Sequence, residues 1–330
     1  MRPQRSDAVT GARVAAVAPS RDLAIDRFRG GLIILMVAGN YLAGVDFVPA
    51  FLKHTPDVGL TVADVVAPGF VFAIGLTYRR SFVHRARQDV AGAYRHFLRR
   101  NLSLIGIGAI ISAGSTSVAH QPSDWGVLQA LGAAGLLCLA VVRLSMTARF
   151  VTGLLVLCGY QYLLEMRASE PVPVSSHGGF VGSLSWGALL ILSTAMGDLY
   201  RSGLGRYVGG CLGLAVVATV SAFLEPVSKI RVSPSFVLVC LTLAAVAWLL
   251  VDLGSRSALK PAGYLCWWGE NPLVLYLVHL GLLGALTVPS ERWWYAGASV
   301  PLAAAQLLAL LALSSTTAWW LHRRGARIGL

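Results

Sequence analysis

The stretch NYLAGVDFVPAFLKHTPDVGLTVAD, residues 40–64, sets an amide, a lysine, a histidine and three carboxylates in one short connection between two apolar runs. A neutral His54 beside Asp64 and Asn40 supplies a base, a group that orients it and a hydrogen-bond donor, which is equipment for moving a proton or an acyl group. Asn40 ends the first apolar run, about a helical turn and a half before Asp46. An amide is costly against lipid, so it is expected to face the protein interior or a polar cavity. Asp64 lies roughly one turn inside the next run, LTVADVVAPGFVFAIG, with Pro68 a turn further on. An ionisable residue at that depth is a candidate functional group, although a structural Asp paired with Lys or Arg explains it nearly as well. A lone loop histidine would read as solvated. His54 is not alone.

The elements that must hold these residues are membrane helices. The chain has 330 residues, 56% hydrophobic and only 13% charged, with a mean hydropathy of +0.67, too apolar for a water-facing surface. A spanning helix needs roughly 20 apolar residues. Ten runs approach that length, at 29–47, 60–78, 100–118, 125–142, 150–165, 184–200, 207–224, 234–252, 263–285 and 298–320; the fifth is short and the ninth is interrupted by polar residues. The expected fold is all-α, a polytopic helix bundle of about ten spans with both termini cytoplasmic.

Charge sets the orientation, because loops rich in Lys and Arg stay in the cytoplasm. With the N-terminus inside, 22 of the 27 basic residues fall on the inner side; Lys53, Arg167, Lys229, Arg231 and Arg292 are the exceptions. His54 is then expected near the extracytoplasmic face. The net charge of +12 reads as a topology signal and a contact with anionic membrane lipids. No basic patch interleaved with aromatics points to nucleic acid. The five cysteines lie inside apolar runs without paired spacing, so neither a disulfide framework nor a metal site is expected. Residues 1–20 are polar, lack the apolar core of a signal peptide, and read as a disordered cytoplasmic tail.

A second chemical signal is RDLAIDRFRGG, where Asp26, Arg27 and Arg29 enter the first span. Such arginines anchor a helix to lipid phosphates or bind a phosphate-bearing ligand through their guanidinium forks. Arg79 and Arg80 at the inner end of the second span, and Arg100 at the start of the third, extend that cationic end.

The run AIDRFRGGLIILMVAGNY…FLKHTPDVGLTVADVVAPGFVFAIG resembles the N-terminal signature of the heparan-α-glucosaminide N-acetyltransferase family, "LDxFRGxxIxxMxxxN" followed by "KHAxWxGLTxADLVFPxFxFxxG". Further matches follow in chain order: WGVLQALG at 125–132, LEPVSKIRVSPSFVL at 224–238 and WWGENPLVLYLVH at 267–279. The resemblance covers about residues 21–280. Asp57 stands where the family usually has Trp, Ala130 where it has Arg, and Glu270 where an Arg often precedes the Asn.

The resemblance implies a fold of ten or eleven helices and transfer of an acetyl group across the membrane, from cytoplasmic acetyl-CoA to a sugar-containing acceptor outside. Carried over by position, His54 matches the catalytic histidine and Asn40 the asparagine that assists it, with Asp64 expected to orient His54. Arg27, Arg29, Arg79, Arg80 and Arg100 are the expected CoA contacts. Residues 21–330 then form one transmembrane acyltransferase domain, with acetyl-CoA as donor, no metal, an amine or hydroxyl acceptor, and a homodimer left open. The rival reading is a multi-span transporter of a small polar or anionic solute, since broken helices and buried polar groups also mark transport sites.

Overall fold

A computed structural model describes residues 22–119, 125–166, 177–257 and 263–328. The tail at 1–20, and with it Arg21, Arg167 and Lys260, lies outside these residues. Every long apolar run is helical, as lipid requires when the backbone must satisfy its own hydrogen bonds. Among the described residues eleven α-helices follow in order: α1 (Leu23–Ala43), α2 (Val62–Ala86), α3 (Val90–Ala119), α4 (Val127–Val141), α5 (Met146–Met166), α6 (Gly179–Ser202), α7 (Leu204–Leu224), α8 (Pro234–Ser257), α9 (Tyr264–Glu270), α10 (Pro272–Leu286) and α11 (Val300–Arg323). No strand occurs among the described residues beyond an isolated antiparallel pairing of Val58 with Ser228.

Among the described residues six helices, α2, α5, α6, α7, α8 and α11, are long and apolar enough to cross a membrane, and α9 with α10 makes a seventh if the pair is one broken span. The chain is a multi-pass membrane protein. The α9–α10 break bends the path by 91° at Asn271–Pro272; a proline cannot extend the ladder of the helix before it. Asn271 then serves as an anchor: its Nδ2 donates to Ala326 O (3.0 Å) and its Oδ1 accepts from Ile328 N (2.8 Å), fixing the C-terminal residues against the break.

Packing divides into two apolar clusters, one centred on α2, α6 and α8, the other on α1, α9, α10 and α11. Helix α6 is the most enclosed, whereas α5, α7 and α11 present Leu155, Leu212, Val216 and Leu308 outward, as expected where the surroundings are as apolar as the core. All five cysteines are free, and four of them are buried.

The entry of α1 is pressed against α9. A Cβ on Gly30 would sit 1.9 Å from Leu265 O, and one on Gly269 would sit 1.9 Å from Asp26 O. Both obstacles are backbone atoms and cannot swing aside. Gly269→Ala is therefore expected to push the helices apart and to lower stability by at least about 1–3 kcal/mol, read as a lower unfolding midpoint in detergent, while Gly31→Ala, which meets nothing within 4 Å, leaves it unchanged.

Candidate active site

The loop carrying His54 is held from two sides. At its start, Asp46 N donates to Ala296 O (2.7 Å) and Arg292 pairs with Asp46 (2.7 Å), tying the loop to the α10–α11 connection. At its end, Gly59 N donates to Val227 O (2.9 Å), which ties it to the α7–α8 connection. Gly59 has φ +115°, a conformation that favours glycine. Asp57, at the position where the family resemblance predicts Trp, accepts from Ser228 Oγ and faces Arg231 at 3.9 Å. The departure has a structural use: it pins residues 228–231 beside His54.

Asp64 is the hub of the site. It sits in the first turn of α2 with a fully buried side chain. Its Oδ2 accepts from Thr61 N (3.1 Å), Thr61 Oγ1 (2.9 Å), Thr55 N (3.3 Å) and Thr55 Oγ1 (3.3 Å). Its Oδ1 faces His54 Nδ1 at 2.8 Å and Lys229 Nζ at 3.1 Å. A carboxylate so engaged fixes the imidazole edge-on, with Nδ1 toward Asp64 and Nε2 left for a reacting partner. The His54 side chain is 39% exposed, so that nitrogen is within reach of solutes.

Lys229 is the residue that sequence reasoning missed as a site member, having counted it only as one of five basic residues off the cationic side. Its Nζ lies 2.8 Å from His54 Nδ1. Burial pushes its ammonium down from the ordinary lysine value, and the Asp64 carboxylate pulls it back part of the way. Its signal in the sequence was the third motif, LEPVSKIRVSPSFVL, a polar stretch between two spans.

Asn40 does not bond to His54. Its Nδ2 is 2.9 Å from Nε2 of His279, which is 1% exposed on α10. His279, on the second half of the broken span, thus has Asn40 as a hydrogen-bond partner. An amide nitrogen carries two hydrogens, so Asn40 keeps one for the cavity that it lines together with His54, Asp64 and Lys229.

That cavity measures about 800 Å³ and runs the length of α2. Ala63, Ala67, Phe70, Ile74, Thr77, Ser81 and Arg85 line it at three- and four-residue steps, so a single face of α2 forms one wall. Arg29, His96, Arg100 and Arg327 line the end remote from His54, while Leu35, Met36, Leu104, Leu128 and Tyr276 supply apolar wall. Of the expected cofactor contacts, Arg29 and Arg100 reach this channel. Arg29 also bonds across to Thr77 Oγ1 (3.2 Å). Arg79 and Arg80 line a neighbouring pocket, and Arg27 lines neither. Arg85, His96 and Arg327 are additions from the structure. Among the described residues no group of three or more His, Cys, Asp or Glu is placed to hold a metal ion.

A family model described as heparan-alpha-glucosaminide N-acetyltransferase, catalytic, matches residues 21–187, half of the chain. The chain belongs to this family. Asn40, His54, Asp64, Arg29 and Arg100 fall inside the matched segment; Lys229, His279 and Arg327 fall beyond it. The heparan-alpha-glucosaminide N-acetyltransferase of Homo sapiens is 35% identical over 149 residues, 39% of this chain and 21% of the relative. That of Mus musculus is 34% identical over 116 residues, 33% of this chain and 17% of the relative. The aligned part spans about a fifth of the length of these curated relatives.

Proposed function

We propose that this heparan-α-glucosaminide N-acetyltransferase-family protein is a membrane acyltransferase that takes acetyl from acetyl-CoA and delivers it to an amine or hydroxyl of a sugar-containing acceptor on the far side of the membrane. The observation that carries the reading is the single channel joining the His54–Asp64–Lys229 cluster to an arginine-lined end. From Asp64 to Arg85 the α2 wall is about 32 Å at 1.5 Å per residue, near the roughly 30 Å of a bilayer core. An extended cofactor with phosphates at one end and a thioester at the other has that shape. The names of the relatives add the acceptor class, a glucosaminide amine.

In this reading α1, α3 and α4 cross the membrane along with the seven apolar spans, which gives ten crossings and returns both ends of the chain to one side. The excess of arginine on that side makes it cytoplasmic. Arg29, Arg85, Arg100 and Arg327 hold the nucleotide phosphates by charge-assisted bonds. The thioester reaches the other mouth beside His54. His54 Nε2 takes the proton of the acceptor nucleophile as it attacks the thioester carbonyl, or takes the acyl group itself and passes it on. Asn40 donates its remaining amide hydrogen to the carbonyl oxygen as charge gathers there. The CoA thiolate leaves, and the proton lost by the acceptor balances it.

The test is a titration of acetyl-CoA against purified protein. Arg29→Ala and Arg100→Ala are each expected to weaken binding about ten- to a hundredfold, the equivalent of losing one charge-assisted bond of about 1.5–3 kcal/mol. Unchanged dissociation constants in both variants would remove the channel as the donor site.

A further inference from the structure

Beside the channel lies a second cavity of about 700 Å³, framed by the Arg79–Arg87 end of α2 and by α6 and α8. The same helix serves both cavities. Phe70, Ile74 and Arg85 line the channel alone, Leu76, Arg79, Arg80, Val83, His84 and Arg87 line the pocket alone, and Thr77 and Ser81 between them touch both. Helix α2 and its end thus form a partition whose arginines are sorted by phase, Arg85 toward the channel and Arg79, Arg80 and Arg87 toward the pocket.

The pocket is cationic beyond what its own acids answer. Asp198 is shared by Arg79 (3.1 Å), Arg201 (3.1 Å) and the fully buried Arg149. One carboxylate thus serves three guanidiniums. Asp22, the other acid at the wall, is engaged in capping α1, its Oδ1 accepting from Ala24 N (3.1 Å). Arg80 and Arg87 have no ion-pair partner among the described residues.

Two buried donors add to this. Trp248, a wall residue that is only 1% exposed, has an indole N–H without an acceptor, and Arg79 Nε is buried without one. Each unmet group here is a donor or a cation. A buried donor left unpaired costs stability, and a ligand answering all of them must accept hydrogen bonds and carry negative charge. Tetrahedral phosphate oxygens fit guanidinium forks in that way, and the pocket offers Ile25, Leu76 and Val83 for an apolar attachment.

We propose that this pocket is a second, non-catalytic site for a phosphate group, borne by an anionic lipid headgroup or by free phosphate, that neutralises the Arg79–Arg80–Arg87–Arg201 cluster and ties α2, α6 and α8 together. The inference does not depend on the acyltransferase reading, since its arginines, Arg79, Arg80, Arg87 and Arg201, do not line the channel.

The full chain, purified in detergent, tests it by thermal unfolding with added phosphatidylglycerol, phosphatidylcholine, or inorganic phosphate against chloride at equal ionic strength. Phosphatidylglycerol, phosphate or both are expected to raise the midpoint by about 2–4 °C over phosphatidylcholine and chloride, and Arg87→Gln to remove most of that rise. A response to the lipid alone assigns the headgroup; a response to phosphate assigns the free ion as well. The wild-type fluorescence change on ligand addition, compared with Trp248→Phe, should include the Trp248 contribution, which reports the pocket even if Arg87→Gln alters folding. A rise that persists undiminished in Arg87→Gln overturns the proposal, as does the absence of any rise. Loss of the phosphate response on adding CoA, with weakened CoA binding in Arg87→Gln, also overturns it by making the pocket part of the nucleotide site.

Discussion

His54→Ala is expected to lower acetyl transfer by at least about 10²–10⁴-fold, the range that a positioned acid–base group contributes, while acetyl-CoA binding and the unfolding midpoint stay close to those of the parent. The separation of effects follows from geometry. His54 sits at the Asp64 end of the channel, and the arginines proposed to hold phosphates line the other end. The side chain is partly exposed, and Asp64 retains Thr55, Thr61 and Lys229 when the imidazole is gone, so the loss to stability is that of one hydrogen bond, about 1 kcal/mol. The measurement is single-turnover transfer from labelled acetyl-CoA to a glucosaminide, alongside equilibrium binding of acetyl-CoA. Transfer at the parental rate would take His54 out of the chemistry. Loss of binding together with transfer would place its role in donor affinity or folding instead.

The local half of the site was legible because it is local. Asn40, His54 and Asp64 fall within one connection and its two helix ends, and polar residues there stand out against runs that lipid forces to be apolar. The helices themselves were legible for the same reason: each of the ten runs is a helix or, at the ninth, a broken pair. The partners that complete the site were not. Lys229 is 175 residues from His54, and His279 is 239 residues from Asn40; nothing in composition or spacing ties such pairs. The sorting of arginines along α2 was hidden for a different reason. A span that is apolar all round has no polar stripe to give its phase, so Arg79 and Arg80 were the expected contacts at this helix end, although of these and Arg85 only Arg85 faces the channel. Likewise Asn271–Pro272 marked a break, but not its 91° angle or the capture of Ala326 and Ile328 by Asn271.

Lys229→Met is expected to have the second large effect, and its signature lies in the pH dependence. Lys229 is the cation opposite a fully buried carboxylate, and removing one partner of a buried pair leaves the other uncompensated, typically at a cost of about 3–5 kcal/mol. Here Thr55, Thr61 and His54 still donate to Asp64, so the lower part of that range is expected. Lys229 Nζ also lies 2.8 Å from His54 Nδ1, so its loss leaves the imidazole less firmly placed, and transfer is expected to fall by about tenfold or more, the equivalent of about 1.4 kcal/mol of lost positioning. Lys229→Arg, which keeps a cation opposite Asp64, should retain most of the activity. The pH dependence is that of stability. Burial lowers the Lys229 value in the folded chain, so between that lowered value and the ordinary one the unfolded chain binds more protons, and folding gains stability as pH rises. The Met variant lacks that gain. An unfolding midpoint in Lys229→Met that keeps the parental rise with pH would show that Lys229 is not the group behind that rise.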